Sequence, residues 1–408
     1  MTAESEPSVG FVGPDSADPP STTAESQDEN ADPEAGKALP KLAFYVPSLD
    51  TGGAERVTVT LVNELNRRGY DIDLVVSSVG AMGEDLAETV TLVNLDSPRP
   101  PGIGIGAGIP GIASYLRSAS PAILFPQMTY ASVVCAVANA VSGTETVVLP
   151  TEHNTLGMKT GRKDRAVSKV AGLLYRDIER VLAVSQGVAD SVVASTPLDS
   201  DRVTVTHNPI DVGSINERST EPVDHPWIAS PDHEVILYVG RHEDQKDLET
   251  WLAAFKQINE TIPSARGIIA GKGSKREELR VIAEQEGLEG VVSFPGYVDN
   301  PYGYMGGADV FMLSSQYEGL PTVLIEALSC GCPVASTDCP SGPSEILAGG
   351  EYGSLAPVGK PQKLADAAMS ELTDPVDEAA LLKRAEDFSP TAVGDTYEQV
   401  IQTVLADR

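Results

Sequence analysis

The sequence predicts an α/β protein in which two doubly wound parallel sheets face a central cleft. Short apolar runs of strand length alternate with segments of helical period, and this alternation occurs twice along the 408 residues. Glycine-containing turns follow several of the apolar runs. Two successive halves of this kind place a cleft between them, because the carboxyl ends of their strands face it.

Four apolar runs and one regular helix define the first half. Strands are predicted at residues 42–46, 72–76, 147–149 and 181–184. Between the first two strands, Val57, Leu61 and Leu65 recur at helical spacing, and Gly69 ends this helix. Residues 208–227 contain several prolines and little periodicity, so we expect them to link the two halves.

The second half repeats the alternation. Strands are predicted at residues 235–239, 267–270, 291–294, 310–313 and 334–336, and helices at residues 248–258, 277–285 and 391–405. We expect the last helix to cross back to the first half. The predicted organisation is a disordered acidic tail (1–38), an N-terminal domain (39–215 plus 388–408) and a C-terminal domain (216–387).

The chain is strongly acidic. It has 59 acidic and 29 basic residues, a net charge of −30, so nucleic acid is not expected as a partner. A high-salt cytoplasm and a merely acidic protein both fit this charge. No stretch approaches the ~20 apolar residues of a membrane helix, and the acidic N-terminus is unlike a secretory signal, so we expect a cytoplasmic protein. The four cysteines lack metal-ligand spacing, so free thiols and no metal are expected.

The segment from residue 317 to residue 334 carries the strongest functional signal. A predicted strand leads into a turn with Glu318, and Glu326 follows on a predicted helix. Gly319 allows close approach of a ligand, and Pro321 suits the first helical turn. Free N–H groups at such a helix start favour an anion. Because unpaired buried carboxylates are costly, we interpret the segment as a phosphate site flanked by two acceptors of sugar hydroxyls rather than as core.

Further candidates follow the strands of the second half. Arg241, after Gly240, ends a strand, and Lys246 precedes the next helix. A guanidinium grips phosphate oxygens in two hydrogen bonds and an ammonium adds a point charge, so the pair fits a diphosphate. The alternative is that Arg241 and Lys246 are surface residues that form ion pairs with nearby carboxylates. The turns at Gly271 and Val298 also follow strands and are candidates for the wall of a nucleotide pocket.

Two turns of the first half complete the set. Gly52 and Gly53 let a ligand approach the start of the first helix, although a plain tight turn has the same sequence, and the Gly-x-Gly-x-x-Gly fingerprint of dinucleotide sites is absent. His153 follows the strand at residues 147–149 and can bond a sugar hydroxyl or a leaving phosphate. A single histidine after a strand is more often an ordinary loop residue.

Together these elements resemble the retaining glycosyltransferases of family 4, which have the GT-B fold of two Rossmann-like domains. The resemblance covers about residues 41–405. It rests on the Glu-x7-Glu motif that ends at Glu326, Gly-Gly-Ala-Glu-Arg from Gly52, Glu-His-Asn around His153, Asn-Pro-Ile-Asp at residues 208–211, Gly-Arg…Lys from Gly240, and Gly-Cys-Pro-Val at residues 331–334. It implies an acceptor-binding first domain and a donor-binding second domain.

The resemblance also implies roles for single residues. The residues that it places at the reacting centre are His153, Arg241, Lys246 and Glu318: the two cations hold the donor diphosphate, the glutamate faces the hydroxyls of the donor sugar, and the histidine lies beside that sugar. The residues that it places around the rest of the donor are Gly52, Gly53, Gly240, Gly271, Val298, Gly319, Leu320, Thr322 and Glu326, of which Val298 contacts the base and Glu326 holds the ribose.

The implied reaction is a metal-independent transfer of a sugar, with retention, from a nucleotide sugar to a glycan or polyprenyl-linked acceptor. Family frequency favours a UDP-sugar, and no cofactor is expected. Two alternatives stay open: a non-catalytic nucleotide-sugar sensor or scaffold on the same fold, and a nucleotide-sugar epimerase of related architecture.

Residues 159–180 form a basic segment. They contain seven cations and three carboxylates, and apolar residues recur between them at helical spacing. This pattern fits an amphipathic surface that contacts anionic lipid or a lipid-phosphate acceptor. An ordinary helix with a basic solvated face is the alternative.

Overall fold

The structure is a computed structural model that describes residues 39–50, 52–95, 108–156, 162–228 and 230–408, without the side chains of residues 162–165. The predicted acidic tail at residues 1–38 lies outside the described residues. The first half of the described chain alternates strands and helices. Its strands are β1 (Leu42–Ser48), β2 (Ile72–Ser78), β3 (Thr91–Asn94), β4 (Ile123–Pro126), β5 (Val147–Val148), β6 (Thr151–Glu152), β7 (Val181–Ala183) and β8 (Val203–Val205). Its helices are α1 (Gly53–Arg67), α2 (Ile109–Ala119), α3 (Thr129–Ser142), α4 (Arg162–Leu174), α5 (Gln186–Ser195) and α6 (Val212–Ser219).

The strands of this half form two parallel sheets. The larger has the order β3-β2-β1-β4-β5 and the smaller the order β6-β7-β8. Pro150 separates β5 from β6, since proline has no N–H to donate to a strand ladder. Thr151 and Glu152 therefore form a short strand of their own, which the sequence analysis did not predict.

Residues 208–227, the predicted link, contain the helix α6, which the sequence analysis did not predict. Asp211 caps this helix, because its carboxylate accepts a hydrogen bond of 3.1 Å from the backbone N–H of Ser214. Val212 and Ile215 are buried, and the helix contacts elements of the second half. Two buried positions in a helix of eight residues are too few to give a readable period, so the cap was the available signal.

The second half contains a single larger sheet. Its strands are β9 (Val235–Val239), β10 (Arg266–Ala270), β11 (Val292–Gly296), β12 (Val310–Leu313), β13 (Val334–Thr337) and β14 (Ser354–Ala356). Its helices are α7 (Leu248–Thr261), α8 (Arg276–Gln285), α9 (Pro301–Gly306), α10 (Thr322–Ser329), α11 (Pro343–Ile346), α12 (Pro361–Thr373), α13 (Glu378–Ala385) and α14 (Pro390–Ala406). The order is β11-β10-β9-β12-β13-β14, and all pairs are parallel.

The strand order of this sheet reverses between β9 and β12. Helices that follow strands on the two sides of such a reversal lie on opposite faces, which opens a crevice at the carboxyl ends of the two strands. The core beneath it is close-packed: the rings of Trp251 and Phe255 stack with centroids 5.4 Å apart, and the indole N–H of Trp251 donates to the carbonyl of Met312 on β12 at 3.0 Å.

The last helix, α14, crosses back to the first half, as predicted. The ring of Tyr397 packs 5.7 Å from that of Phe125 on β4. At the helix surface, the guanidinium of Arg68 pairs with Asp395 at 2.7 Å and with Glu398 at 2.6 Å. Residues Leu39–Arg408 form one compact unit, and the domain boundaries at residues 215 and 387 stay a prediction.

The basic segment at residues 159–180 falls largely on α4. Residues 159–161 and the side chains of residues 162–165 lie outside the described residues. On the described part, Ala171 is buried, whereas Val170 and Leu173 are exposed, Leu173 by 76%. The outward face of the helix therefore carries apolar side chains. Within the described residues, no helix has the length and apolarity that crossing a bilayer requires.

Candidate functional site

Glu318 lies in the turn between β12 and α10. Its side chain is buried, at 7% exposure, and its carboxylate accepts hydrogen bonds from three neighbours. These are the ammonium of Lys246 at 2.5 Å, the hydroxyl of Ser315 at 2.6 Å and the amide of Gln245 at 3.2 Å. We expected this carboxylate outside the core because an unpaired buried charge is costly; it is buried after all, and the ion pair with Lys246 is the reason.

Arg241 follows β9, at the same edge of the sheet. Its side chain is exposed, and its carbonyl accepts a hydrogen bond of 3.0 Å from the hydroxyl of Tyr238. Among the described residues it forms no ion pair within 4 Å. The nearby carboxylates have other partners: Asp244 pairs with Lys275 at 2.8 Å, and Glu243 accepts from the N–H of Ser274 at 3.1 Å. The guanidinium is therefore free to meet an anion.

The glycine turns after β9 and β10 meet each other. Gly271 has φ +127°, and a Cβ there would lie 1.9 Å from the carbonyl oxygen of Gly240. Position 271 therefore requires glycine, and a Cβ on Gly240 would lie 2.5 Å from the hydroxyl of Tyr238. Beyond β11, Val298 is partly buried and packs against the core, and beside it the ammonium of Lys272 lies 4.6 Å from the ring centroid of Tyr297.

The turn at Gly319 contacts the first half of the chain. A Cβ on Gly319 would lie 1.9 Å from the carbonyl oxygen of His153. The carbonyl of Gly319 accepts hydrogen bonds of 2.8 Å from the hydroxyls of Ser185 and Ser341. Leu320, the next residue, is buried in the core. The structure therefore brings together two segments that the sequence analysis selected from opposite halves.

The ring of His153 is held in one tautomer. Its Nε2 lies 2.8 Å from Oε1 of Gln127, whose amide nitrogen donates to the carbonyl of Phe125 at 3.3 Å. Nε2 therefore carries the proton, and Nδ1 is left as an acceptor. Burial lowers the pKa of His153 to about 4, so the ring is neutral at pH 7.

The residue before it, Glu152, has a role that the sequence analysis missed. Its carboxyl is fully buried and accepts hydrogen bonds from the hydroxyls of Thr129 and Tyr175. Burial raises the pKa of Glu152 to about 7, against the effect of these two hydrogen bonds. Tyr175 follows α4 directly, so Glu152 joins the end of that helix to the strand that leads to His153. The sequence did contain a signal for this role: Glu152 is a carboxyl within a strand, directly before His153.

Glu326 lies on α10 and faces a cleft of about 510 Å³. The residues of both halves that line this cleft include Gly52, Gly53, Arg56, Arg218, Tyr302, Thr322 and Glu326. Burial raises the pKa of Glu326, while the charge of Arg56 and a hydrogen bond with Thr322 act in the opposite direction. A Cβ on Gly53 would meet no atom within 4 Å, so this glycine borders open space.

Across the cleft, the guanidinium of Arg56 donates a hydrogen bond of 3.0 Å to the hydroxyl of Tyr302. The guanidinium carbon of Arg218 lies 4.9 Å from the centroid of the same ring. The sequence analysis quoted Arg56 only as the last residue of a motif and did not select the other two. Within the described residues, no group of three or more His, Cys, Asp or Glu side chains is arranged to hold a metal ion.

Comparisons with known proteins agree with this architecture. Residues 51–214 match the family model described as Glycosyltransferase Family 4, and residues 224–391 match the model described as Glycosyl transferases group 1. The structure of HepE from Anabaena, in complex with UDP-glucose, superposes with a TM-score of 0.75 at 18% identity, over 89% of this chain and 100% of that one. The chain is a GT-B glycosyltransferase. The predicted fold class is thereby confirmed.

Two named relatives are bacterial glycosyltransferases. It is 26% identical over 326 residues to the N-acetylgalactosamine-N,N'-diacetylbacillosaminyl-diphospho-undecaprenol 4-alpha-N-acetylgalactosaminyltransferase of Campylobacter jejuni, which covers 78% of this chain and 87% of that protein. It is 27% identical over 226 residues to the lipopolysaccharide core biosynthesis glycosyltransferase LpsE of Rhizobium meliloti, which covers 52% of this chain and 64% of that protein.

Proposed function

We propose that this GT-B glycosyltransferase transfers a sugar from a UDP-sugar to a glycan or lipid-linked acceptor, with retention of the anomeric configuration. The observation that carries the proposal is the ion pair of Lys246 and Glu318 at the edge of the sheet where Arg241 follows β9, with the neighbouring turn at Gly319 against His153. Two relatives support the choice of substrates. HepE is described in complex with UDP-glucose, and the Campylobacter jejuni enzyme is named for an acceptor on diphospho-undecaprenol.

The proposed donor site divides the nucleotide sugar among these groups. The diphosphate meets Arg241, Lys246 and the backbone N–H groups at the start of α10. The sugar hydroxyls meet Glu318, and the ribose hydroxyls meet Glu326. The base lies against the turn at Val298, beyond the glycines at the ends of β9 and β10.

Charge explains how these residues promote transfer. As the bond to the anomeric carbon breaks, negative charge grows on the departing diphosphate, and positive charge grows on the sugar. Fixed cations and helix N–H groups stabilise the negative charge on the diphosphate, because they are already in place and need no reorganisation. Lys246, bonded to Glu318 in the structure, gains the diphosphate as a second anionic partner when donor binds. Neutral His153 adds no charge that would oppose the positive sugar.

We place the acceptor on the same face of the sugar as the departing diphosphate. In this arrangement the leaving phosphate oxygen takes the proton of the acceptor hydroxyl, and the configuration is retained. The residues proposed here need no metal for these steps. Closure of the two halves would exclude water and limit hydrolysis of the donor.

The first experiment is a donor panel with and without a lipid-linked acceptor. We expect slow hydrolysis of one UDP-sugar without acceptor, and a product whose anomeric coupling in NMR matches that of the donor. Glu318→Ala is expected to abolish transfer, and Arg241→Ala to weaken binding of UDP and transfer together. Binding without turnover would support the sensor or scaffold instead, and near-normal transfer by both variants would refute the site.

We also propose a cytoplasmic location, with peripheral contact to the membrane through the outward face of α4. Val170 and Leu173 are exposed on this face, next to the exposed ammonium of Lys169. Flotation with vesicles that contain anionic lipid tests the contact. We expect Lys169→Glu combined with Leu173→Ser to lose flotation, whereas Lys363→Glu on α12 keeps it. Equal flotation of both variants would end this proposal.

A further inference from the structure

Arg56 has no part in the roles proposed so far. It lies in the first turn of α1, and its guanidinium donates to the hydroxyl of Tyr302 on α9 at 3.0 Å. The two residues are 246 positions apart in the chain and come from opposite sides of the cleft. A side chain that spans the cleft in this way links the position of α1 in one half to that of α9 in the other.

The surroundings of Glu326 indicate a function for the contact between Arg56 and Tyr302. Glu326 lies one helical turn after Thr322, lines the same cleft as Arg56 and Tyr302, and belongs to a helix that contacts α9. The charge of Arg56 acts against the effect of burial on the pKa of Glu326, while no carboxylate of the described residues pairs with Arg56 within 4 Å. The charge of Arg56 is therefore available to Glu326.

We propose that Arg56 is a positioning residue for the donor ribose: from the other side of the cleft it orients the carboxylate of Glu326 so that its two oxygens accept the ribose hydroxyls, while its bond to Tyr302 holds α1 across the cleft. A carboxylate accepts through both oxygens, whereas a protonated carboxyl must use one of them as a donor. Hydrogen bonds to a charged acceptor are also stronger than neutral ones. The inference rests on the proposed function, in which Glu326 holds the ribose.

The measurement is the ratio of the dissociation constants for 2′-deoxy-UDP and UDP, obtained by calorimetry, with the corresponding GDP pair in parallel. Loss of a hydrogen bond to a charged group corresponds to about a 10-fold ratio or more in the wild type. We expect Arg56→Ala to reduce the ratio to within about threefold of one, because Glu326 no longer favours the 2′-hydroxyl. A structural defect would weaken both nucleotides equally and leave the ratio unchanged, which would overturn the proposal.

Three further variants make the test specific. Arg218→Ala removes the other guanidinium on Tyr302 and is expected to keep the wild-type ratio. Arg56→Lys keeps the charge, so it is expected to stay within about threefold of the wild-type ratio, and it replaces Arg56→Ala if that variant folds poorly. Adding Arg56→Ala to Glu326→Gln is expected to change the ratio no further, since the two act as a unit. An equal loss in Arg218→Ala, or a further fall in the double variant, would overturn the proposal.

Glu326→Gln separates this inference from the function on which it rests. If Glu326→Gln keeps the wild-type ratio, Glu326 does not hold the ribose, and that part of the proposed function fails. If Glu326→Gln loses the ratio and Arg56→Ala keeps it, the ribose site stands and the role of Arg56 is refuted.

Discussion

Glu318 and Glu326 belong to one motif, but the two carboxylates lie in different surroundings. Glu318 is buried, and its partners Lys246, Gln245 and Ser315 all belong to the second half. Glu326 is only partly buried, and the cation that acts on it, Arg56, belongs to the first half. The site of Glu318 is therefore complete within one half, whereas the site of Glu326 depends on how the halves meet across the cleft.

Replacing each glutamate by alanine tests this comparison with the largest expected effects. Glu318 is proposed to meet the reacting sugar, so Glu318→Ala should lower kcat by more than about 10³-fold. Glu326 is proposed to hold the ribose, which does not react, so Glu326→Ala should raise the donor KM about 10-fold or more and change kcat less. Steady-state kinetics with varied donor measures both. Equal losses of kcat in the two variants would break the comparison.

The ion pair of Glu318 makes a prediction about folding. Lys246→Met removes the cation and leaves a carboxylate buried without its partner, so we expect a loss of about 3 kcal/mol or more in the free energy of unfolding at pH 7. Denaturant unfolding followed by circular dichroism measures it. Adding Glu318→Gln should restore most of the loss, because the uncompensated charge is then gone. A double variant as unstable as Lys246→Met would show that the side chain of Lys246 acts by packing.

Much of the second-half site could be predicted from sequence. Each candidate there follows a strand, and the carboxyl ends of parallel strands meet at one edge of a sheet, so local patterns were enough to select Arg241, Lys246 and Glu318. The strands themselves were readable as short apolar runs. Their shared location follows from topology and needs no knowledge of side-chain contacts.

The side-chain contacts between these residues could not be predicted from the sequence in the same way. The bond from Lys246 to Glu318 joins residues 72 positions apart, and that from Arg56 to Tyr302 joins residues 246 apart. Such contacts are set by packing of whole elements, which no local period encodes. The charge of Lys246 suggested a phosphate ligand, with nearby carboxylates as the alternative, and neither interpretation named Glu318 as its partner. Glu152 was quoted only as part of the Glu-His-Asn motif, and its role was missed because Pro150 separates its strand from β5.

Glu152 is a third carboxyl for this comparison: it is buried, and among the described residues no cation pairs with it. Its folded pKa of about 7 lies above the ordinary value of 4.5, so the folded state holds a proton that the unfolded state has released between these pH values. The stability that Glu152 contributes is therefore complete below pH ~4.5 and is lost as the pH rises through ~7. Relative to Glu152→Gln, the wild type should lose about 3 kcal/mol of unfolding free energy across this range. Urea unfolding between pH 5 and pH 8 tests it; a difference independent of pH would contradict the expectation.

The smallest effect concerns Gly319, where the turn of Glu318 touches the first half. A Cβ at this position would lie 1.9 Å from the carbonyl oxygen of His153, and a backbone atom cannot turn aside as a flexible side chain can. Gly319→Ala must therefore displace the strand end at His153 or the turn itself, and we expect a loss of about 2 kcal/mol in the free energy of unfolding.

Gly53→Ala is the matched control for stability, because a Cβ there meets no atom within 4 Å and alanine suits the first turn of a helix. It should change the free energy of unfolding by less than about 0.5 kcal/mol. If Gly319→Ala is equally harmless, then the turn of Glu318 moves freely past His153, and the site of Glu318 is even more independent of the first half than the structure indicates. If it loses stability as expected, this contact marks the place where the otherwise self-contained site of Glu318 is joined to the other half.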